Sequence, residues 1–67
     1  MWTVVYIAPN KGMAERVRSI LEAEGLLAQL RPLDVGDDGR GSIEILVPEG
    51  EAEEAHEILA NHLGRLR

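Results

Sequence analysis

The spacing of the apolar residues changes at Pro9, at Gly25 and again at Pro48, and few small folds accommodate the resulting order of elements. Trp2 to Ala8 is β-branched and aromatic, which predicts a strand. Pro9 has no N–H to give a ladder and ends it, and Asn10 is placed to cap a helix beginning at Lys11. From Lys11 to Glu24 the period becomes helical: Met13, Val17, Ile20 and Leu21 fall on one stripe with Ala14 beside them, while Glu15, Arg18, Ser19 and Glu22 lie opposite. Gly25 stands where a helix needs a left-handed residue after its cap. Leu26 to Leu33 predicts a second strand, whose Pro32 belongs at a sheet edge. Asp34 to Gly41, with its Gly and Asp residues, predicts a turn or loop. Ser42 to Val47 predicts a third strand, with Ile43, Ile45 and Val47 alternating against Ser42 and Glu44. Pro48, Glu49, Gly50 and Glu51 open a second helix. Ala52, Ala55, Leu59, Leu63 and Leu66 share one side of it, Ile58 flanks them, and Gly64, Arg65 and Arg67 mark its end.

The order β-α-β-β-α has one common solution. The third strand inserts between the first and second, and both helices cover one face. This is the α+β, two-layer split βαβ or ferredoxin-like plan, here lacking the fourth strand that would flank the first. One domain spans residues 1–67, and the first strand is expected to keep an unpaired edge. Ile43, Ile45 and Val47 must face the helices, with Ala28 and Leu30 joining them and Gln29 and Arg31 outside. The first strand is apolar on both sides. Val5 and Ile7 facing the helices would leave Trp2, Val4 and Tyr6 on the open face beside Leu46, and a one-residue slip reverses this. The first arrangement is preferred, because the Trp N–H and Tyr O–H need a wet or polar partner.

Composition removes several classes of function. The chain has 67 residues and no Cys, so disulfides, thiolate zinc and iron–sulfur clusters are excluded. A small secreted domain would need such staples, which favours a cytoplasmic location. The longest apolar run, Val4 to Ala8, falls far short of the roughly 20 residues of a membrane span. Met1, Trp2 and Thr3 do not begin a secretory signal. A net charge of -5, with Lys and Arg scattered along the chain, opposes nucleic-acid binding.

No set of residues assembles a reaction centre. His56 and His62 lie about 120° apart around a helix and cannot share one ion, although Glu53 stands where it could pair with His56. Asp34, Asp37 and Asp38 do not follow a calcium-loop pattern, because Gly36 and Ile45 occupy positions where ligands are required. Gly36, Gly39 and Gly41 join two strands, whereas phosphate-cradling glycines join a strand to a helix. The carboxylates from Glu49 to Glu57 share one solvated environment, which does not split acid from base. Ser19 and Ser42 have no activating partner. No cofactor, metal or enzymatic activity is expected. One feature fits a small anion: free amides at the start of the first helix, around Asn10, Lys11 and Gly12, with Arg16 nearby.

Two stretches carry a resemblance. One is Met13-Ala14-Glu15-x-Val17-x-x-Ile20-Leu21-Glu22-x-Glu24-Gly25. The other is Ile45-Leu46-Val47-Pro48-Glu49, followed by Glu51-Ala52-Glu53-Glu54-Ala55 and Ile58-Leu59. Together they resemble a small bacterial family of signal-transducing proteins, a domain of unknown function similar in fold to the nitrogen-regulatory P-II proteins. The resemblance implies a ferredoxin-like fold and brings no ligand or functional residue with it. Some relatives append a cysteine-based zinc ribbon, which this chain lacks.

The residues support two functional expectations. The first is a regulatory, protein-binding module that associates through the first-strand edge and the open face around Trp2, Val4, Tyr6 and Leu46, as a homodimer or with a protein partner. The alternative is a sensor of an amino acid or other small anion held at Asn10, Lys11 and Gly12.

Overall fold

The structure, a computed structural model, describes residues 1–33 and 41–63. Its elements run β1 (Trp2–Ala8), α1 (Lys11–Ala23), β2 (Gln29–Pro32), β3 (Ile43–Pro48), a 3-10 turn (Glu49–Glu51) and α2 (Ala52–Leu63). The sheet order is β1-β3-β2, and both outer strands are antiparallel to β3. The fold is therefore the split βαβ, ferredoxin-like plan without a fourth strand, and both β1 and β2 are edges among the described residues. Asp34 to Arg40, most of the acidic loop, and Gly64, Arg65, Leu66 and Arg67 at the end of the second helix lie outside the described residues.

The boundaries of α1 rest on backbone hydrogen bonding. Asn10 is extended at φ -158° and ψ 172°, and its Oδ1 accepts the Met13 N–H at 2.8 Å, satisfying an amide the helix cannot satisfy itself. At the other end Gly25 adopts φ 87°, a left-handed conformation that costs glycine nothing. The Gly25 N–H then reaches the Glu22 carbonyl at 3.0 Å and the Leu26 N–H reaches the Leu21 carbonyl at 3.1 Å, the two bonds of a Schellman motif. Leu21 and Leu26 are both buried in the core, which adds the apolar contact typical of that motif. Leu26 is consequently a helix terminator, and β2 begins three residues later than the sequence predicts, at Gln29.

Both helices lie on one side of the sheet. Ala14, Val17 and Leu21 of α1 and Ala55, Ile58 and Leu59 of α2 share a single core with Ile43, Ile45 and Val47 of β3. Met13, Ile20, Ala28, Leu30, Ala52 and Leu63 are partly buried around it. Ala14 is fully buried in the first turns of α1, beside the larger residues of its stripe. The opening of the second helix is a 3-10 turn, pinned to the N-terminus by the Glu49 N–H donating to the Met1 carbonyl at 2.7 Å.

β1 departs from simple alternation. Val4 pairs with Leu46 and Tyr6 with Ile45, so Val5 is one extra residue, a β-bulge. Before the bulge Trp2 and Val4 lie opposite Pro48 and Leu46, on the side away from the helices. After it the phase inverts: Tyr6 and Ala8 sit opposite Ile45 and Ile43 on the helix side, and Ile7 sits opposite Glu44 on the open side. Val5 and Tyr6 both pack against the core. The expectation that Tyr6 lies on the open face and Ile7 on the helix face is thus corrected. The bulge lets one strand send Trp2 and Val4 outward and Tyr6 inward, which strict alternation forbids.

Candidate functional site

The open face is built from three strands in register. Trp2, Val4 and Ile7 come from β1, Leu46 and Glu44 from the central β3, and Gln29 and Arg31 from β2. The Leu33 N–H donates to the Ser42 carbonyl at 2.9 Å, extending the β2–β3 pairing by one step, so the strand's alternation puts Leu33 on the same side as Arg31. Three large apolar side chains stand out of this face: Trp2 at 40%, Ile7 at 55% and Leu33 at 52% exposure. Leu46, in contrast, is only 5% exposed and belongs to no part of the helix-side core. Val4 and Gln29 flank it across the two ladders, so it forms the floor of the face while Trp2 and Ile7 offer the contact area.

One ion pair crosses this face. The Nε of Arg31 donates to Oε1 of Glu44 at 2.7 Å, and a terminal guanidinium nitrogen approaches the same oxygen at 2.6 Å. The Glu44 side chain is 14% exposed. A carboxylate on an apolar sheet surface would otherwise be costly to shield from water, and Arg31 neutralises it from the adjacent strand. A second ion pair, Arg18 with Glu15 at 2.5 Å, lies one turn apart on the outer side of α1.

The charges divide unevenly between the two layers. The helices, their caps and the 3-10 turn carry Lys11, Arg16 and Arg18 against Glu15, Glu22, Glu24, Glu49, Glu51, Glu53, Glu54 and Glu57. Three cations against eight anions account for the whole formal charge of -5. The open face carries Arg31 and Glu44, which cancel. The remaining acids and bases, three of each, fall outside the described residues.

The second predicted site lies elsewhere. Asn10, Lys11 and Gly12 are exposed at the start of α1. The Asn10 side-chain oxygen is engaged by Met13, and the Ala14 N–H donates to the Asn10 carbonyl at 3.1 Å, which leaves the amides of Lys11 and Gly12 outside these capping bonds. His56 and His62 are both exposed on α2. Among the described residues, no three His, Asp or Glu side chains are grouped so as to hold a metal ion. No helix among them is long and apolar enough to cross a membrane. Residues 2, 4 and 46 of the predicted face come together as expected, and Tyr6 does not. Ile7 and Leu33 join the face without being predicted there, because residues apolar on both sides of Trp2 to Ala8 leave the phase of β1 open and carry no local mark of the bulge.

Comparison of the chain with family models, with curated proteins and with solved structures gave no match.

Proposed function

We propose that this chain is a non-enzymatic regulatory module, of the signal-transducing kind its sequence resembles, which acts in the cytoplasm by docking a protein on the open face of its sheet. The observation that carries this is the segregation of the surface. Trp2, Ile7 and Leu33 emerge on the side where the charges of the described residues, Arg31 and Glu44, cancel, while the described acidic residues otherwise belong to the helices, their caps and the 3-10 turn. An exposed apolar patch with a polar rim marks an interaction surface in a small domain. The outer edge of β1 adjoins this face. The bulge at Val5 distorts that edge, and bulges discourage strand-to-strand addition, so the face is the principal surface and the edge its border.

The test is site-specific photocrosslinking in cells. A benzophenone side chain placed at Ile7 should capture a protein, and one placed at Glu54, on the exposed side of α2, should not. Equal capture at both positions, or none at Ile7, would remove the docking role.

A further inference from the structure

We infer that the first half of β1 is a two-position register switch. It pairs with β3 either through the bulge or in one even ladder shifted by a single residue, and the change carries Trp2 from the open face to the helix side. This rests on the strand geometry alone and stands whether or not the open face docks a protein. Tyr6, Ile7 and Ala8 pair with Ile45, Glu44 and Ile43, and that ladder is common to both positions. Continued evenly toward the N-terminus, it sets Val5 opposite Leu46, Val4 opposite Val47 and Thr3 opposite Pro48. The bulged ladder instead sets Val4, Thr3 and Trp2 opposite those three residues. The two differ by a slide of about 3.3 Å, one residue along the strand.

The residues involved keep the two ladders near balance. Val4 and Val5 are the same residue type, so the open face keeps a valine opposite Leu46 in either position. The bulged ladder packs Val5 against the core and sets Trp2 opposite Pro48, but it turns Thr3 toward the fully buried Val47 and leaves one residue unpaired. The even ladder pairs every residue, turns Thr3 outward and brings Val4 to Val47, and it gives up the packing of Val5 and the place of Trp2. Strands apolar on both faces specify register weakly. The anchor at the strand's end accepts the slide as well. The Glu49 N–H donates to the Met1 carbonyl at 2.7 Å, and a shift of one residue presents the Trp2 carbonyl to the same amide. No strand among the described residues flanks β1 on its other side, so β3 alone sets its register.

The consequence is a gate on the open face. In the bulged ladder Trp2 stands there, 40% exposed. In the even ladder Thr3 takes its place, and Trp2 passes to the helix side at the opening of the 3-10 turn. Anything that contacts the outward indole selects the bulged ladder.

The test places a fluorinated tryptophan at Trp2, the single tryptophan, in the purified full chain and follows it by fluorine NMR with relaxation dispersion and saturation transfer. Deleting Val5 removes the residue that the bulge stores, so that variant should give a single signal marking the outward Trp2. Val5→Lys sets a charge against the core in the bulged ladder and on the open side in the even one. It should raise the ratio of even to bulged ladder at least about tenfold. Val4→Lys does the reverse and should hold the signal where the Val5 deletion puts it. The wild type should exchange with a second signal, populated at about 1–10%, at the position that Val5→Lys makes prominent. Far-UV circular dichroism checks that each variant is folded. Thr3→Lys, which pushes the same way, replaces Val5→Lys if that chain is not. A wild type without exchange, or a folded Val5→Lys chain whose signal stays at the Val5-deletion position, overturns the switch. So does an equal response to Val4→Lys and Val5→Lys, which would report the added charge and not the register.

Discussion

Gly25 and Gly50 offer the same chemical change, Gly→Ala, in two opposite backbone settings. An added Cβ would meet nothing within 4 Å at either position, so sterics with neighbours cancel. Gly25 has φ 87° and is the one described residue with positive φ, whereas Gly50 lies in the 3-10 turn. An L-residue in the left-handed region costs about 1–2 kcal/mol, and Ala returns roughly 0.4–1 kcal/mol by restricting the unfolded chain. Gly25→Ala should therefore lose about 1 kcal/mol net, and Gly50→Ala should gain about 0.5 kcal/mol. In a domain this small a change of 1 kcal/mol moves Tm by about 4–8 °C, so the two variants should melt on opposite sides of the wild type. Urea unfolding followed by far-UV circular dichroism, with unchanged m values, gives the comparison. A synthetic chain carrying D-Ala at position 25 should be more stable than wild type, since the D-residue favours that φ. Equal shifts of the same sign for Gly25→Ala and Gly50→Ala would refute the left-handed Schellman ending of α1.

Other substitutions test the remaining features. Asn10→Ala leaves the Met13 N–H without its 2.8 Å partner and should cost about 1 kcal/mol in thermal melts, while Asn10→Asp keeps most of that stability. Leu21→Ala empties a fully buried site at a cost of about 2–5 kcal/mol, enough to leave a domain of about 3–5 kcal/mol largely unfolded by circular dichroism. Tyr6→Ser should destabilise by at least about 2 kcal/mol and Ile7→Ser by less than about 1 kcal/mol; the reverse order in urea melts would contradict the register of β1. Arg31→Ala should cost about 1–3 kcal/mol, more than an exposed ion pair is worth, because it strands the shielded Glu44 carboxylate, and Arg31→Ala combined with Glu44→Gln should recover part of the loss in urea melts.

Much of the architecture is legible in the sequence because it rests on local chemistry. Asn10 and Gly25 bracket α1 through capping bonds that depend on residue type alone. Ile43, Ile45 and Val47 alternate with polar neighbours, so their face is fixed before any packing is known. The phase of β1 is different in kind. Its residues are apolar on both sides, so alternation gives no preference, and the outcome depends on how Val5 accommodates its partner strand. The start of β2 is hidden because Leu26 reads as a strand residue while its amide closes the helix. On the open face, Trp2, Val4 and Leu46 are legible from alternation, but the ion pair between Arg31 and Glu44 depends on a register between residues 13 positions apart, which no local pattern encodes.

The extra residue at position 5 divides β1 into two short segments that obey opposite rules. In a complete substitution scan, even positions should accept polar residues up to Val4 and refuse them at Tyr6, while the odd position Ile7 should be permissive. Deleting Val5 would merge the segments into one even rhythm in which every remaining residue keeps its partner on β3, with Trp2, Val4 and Ile7 outside and Tyr6 and Ala8 inside. A single-codon loss at that place should thus cost the packing of Val5 against the core and leave the pairing of β1 with β3 intact.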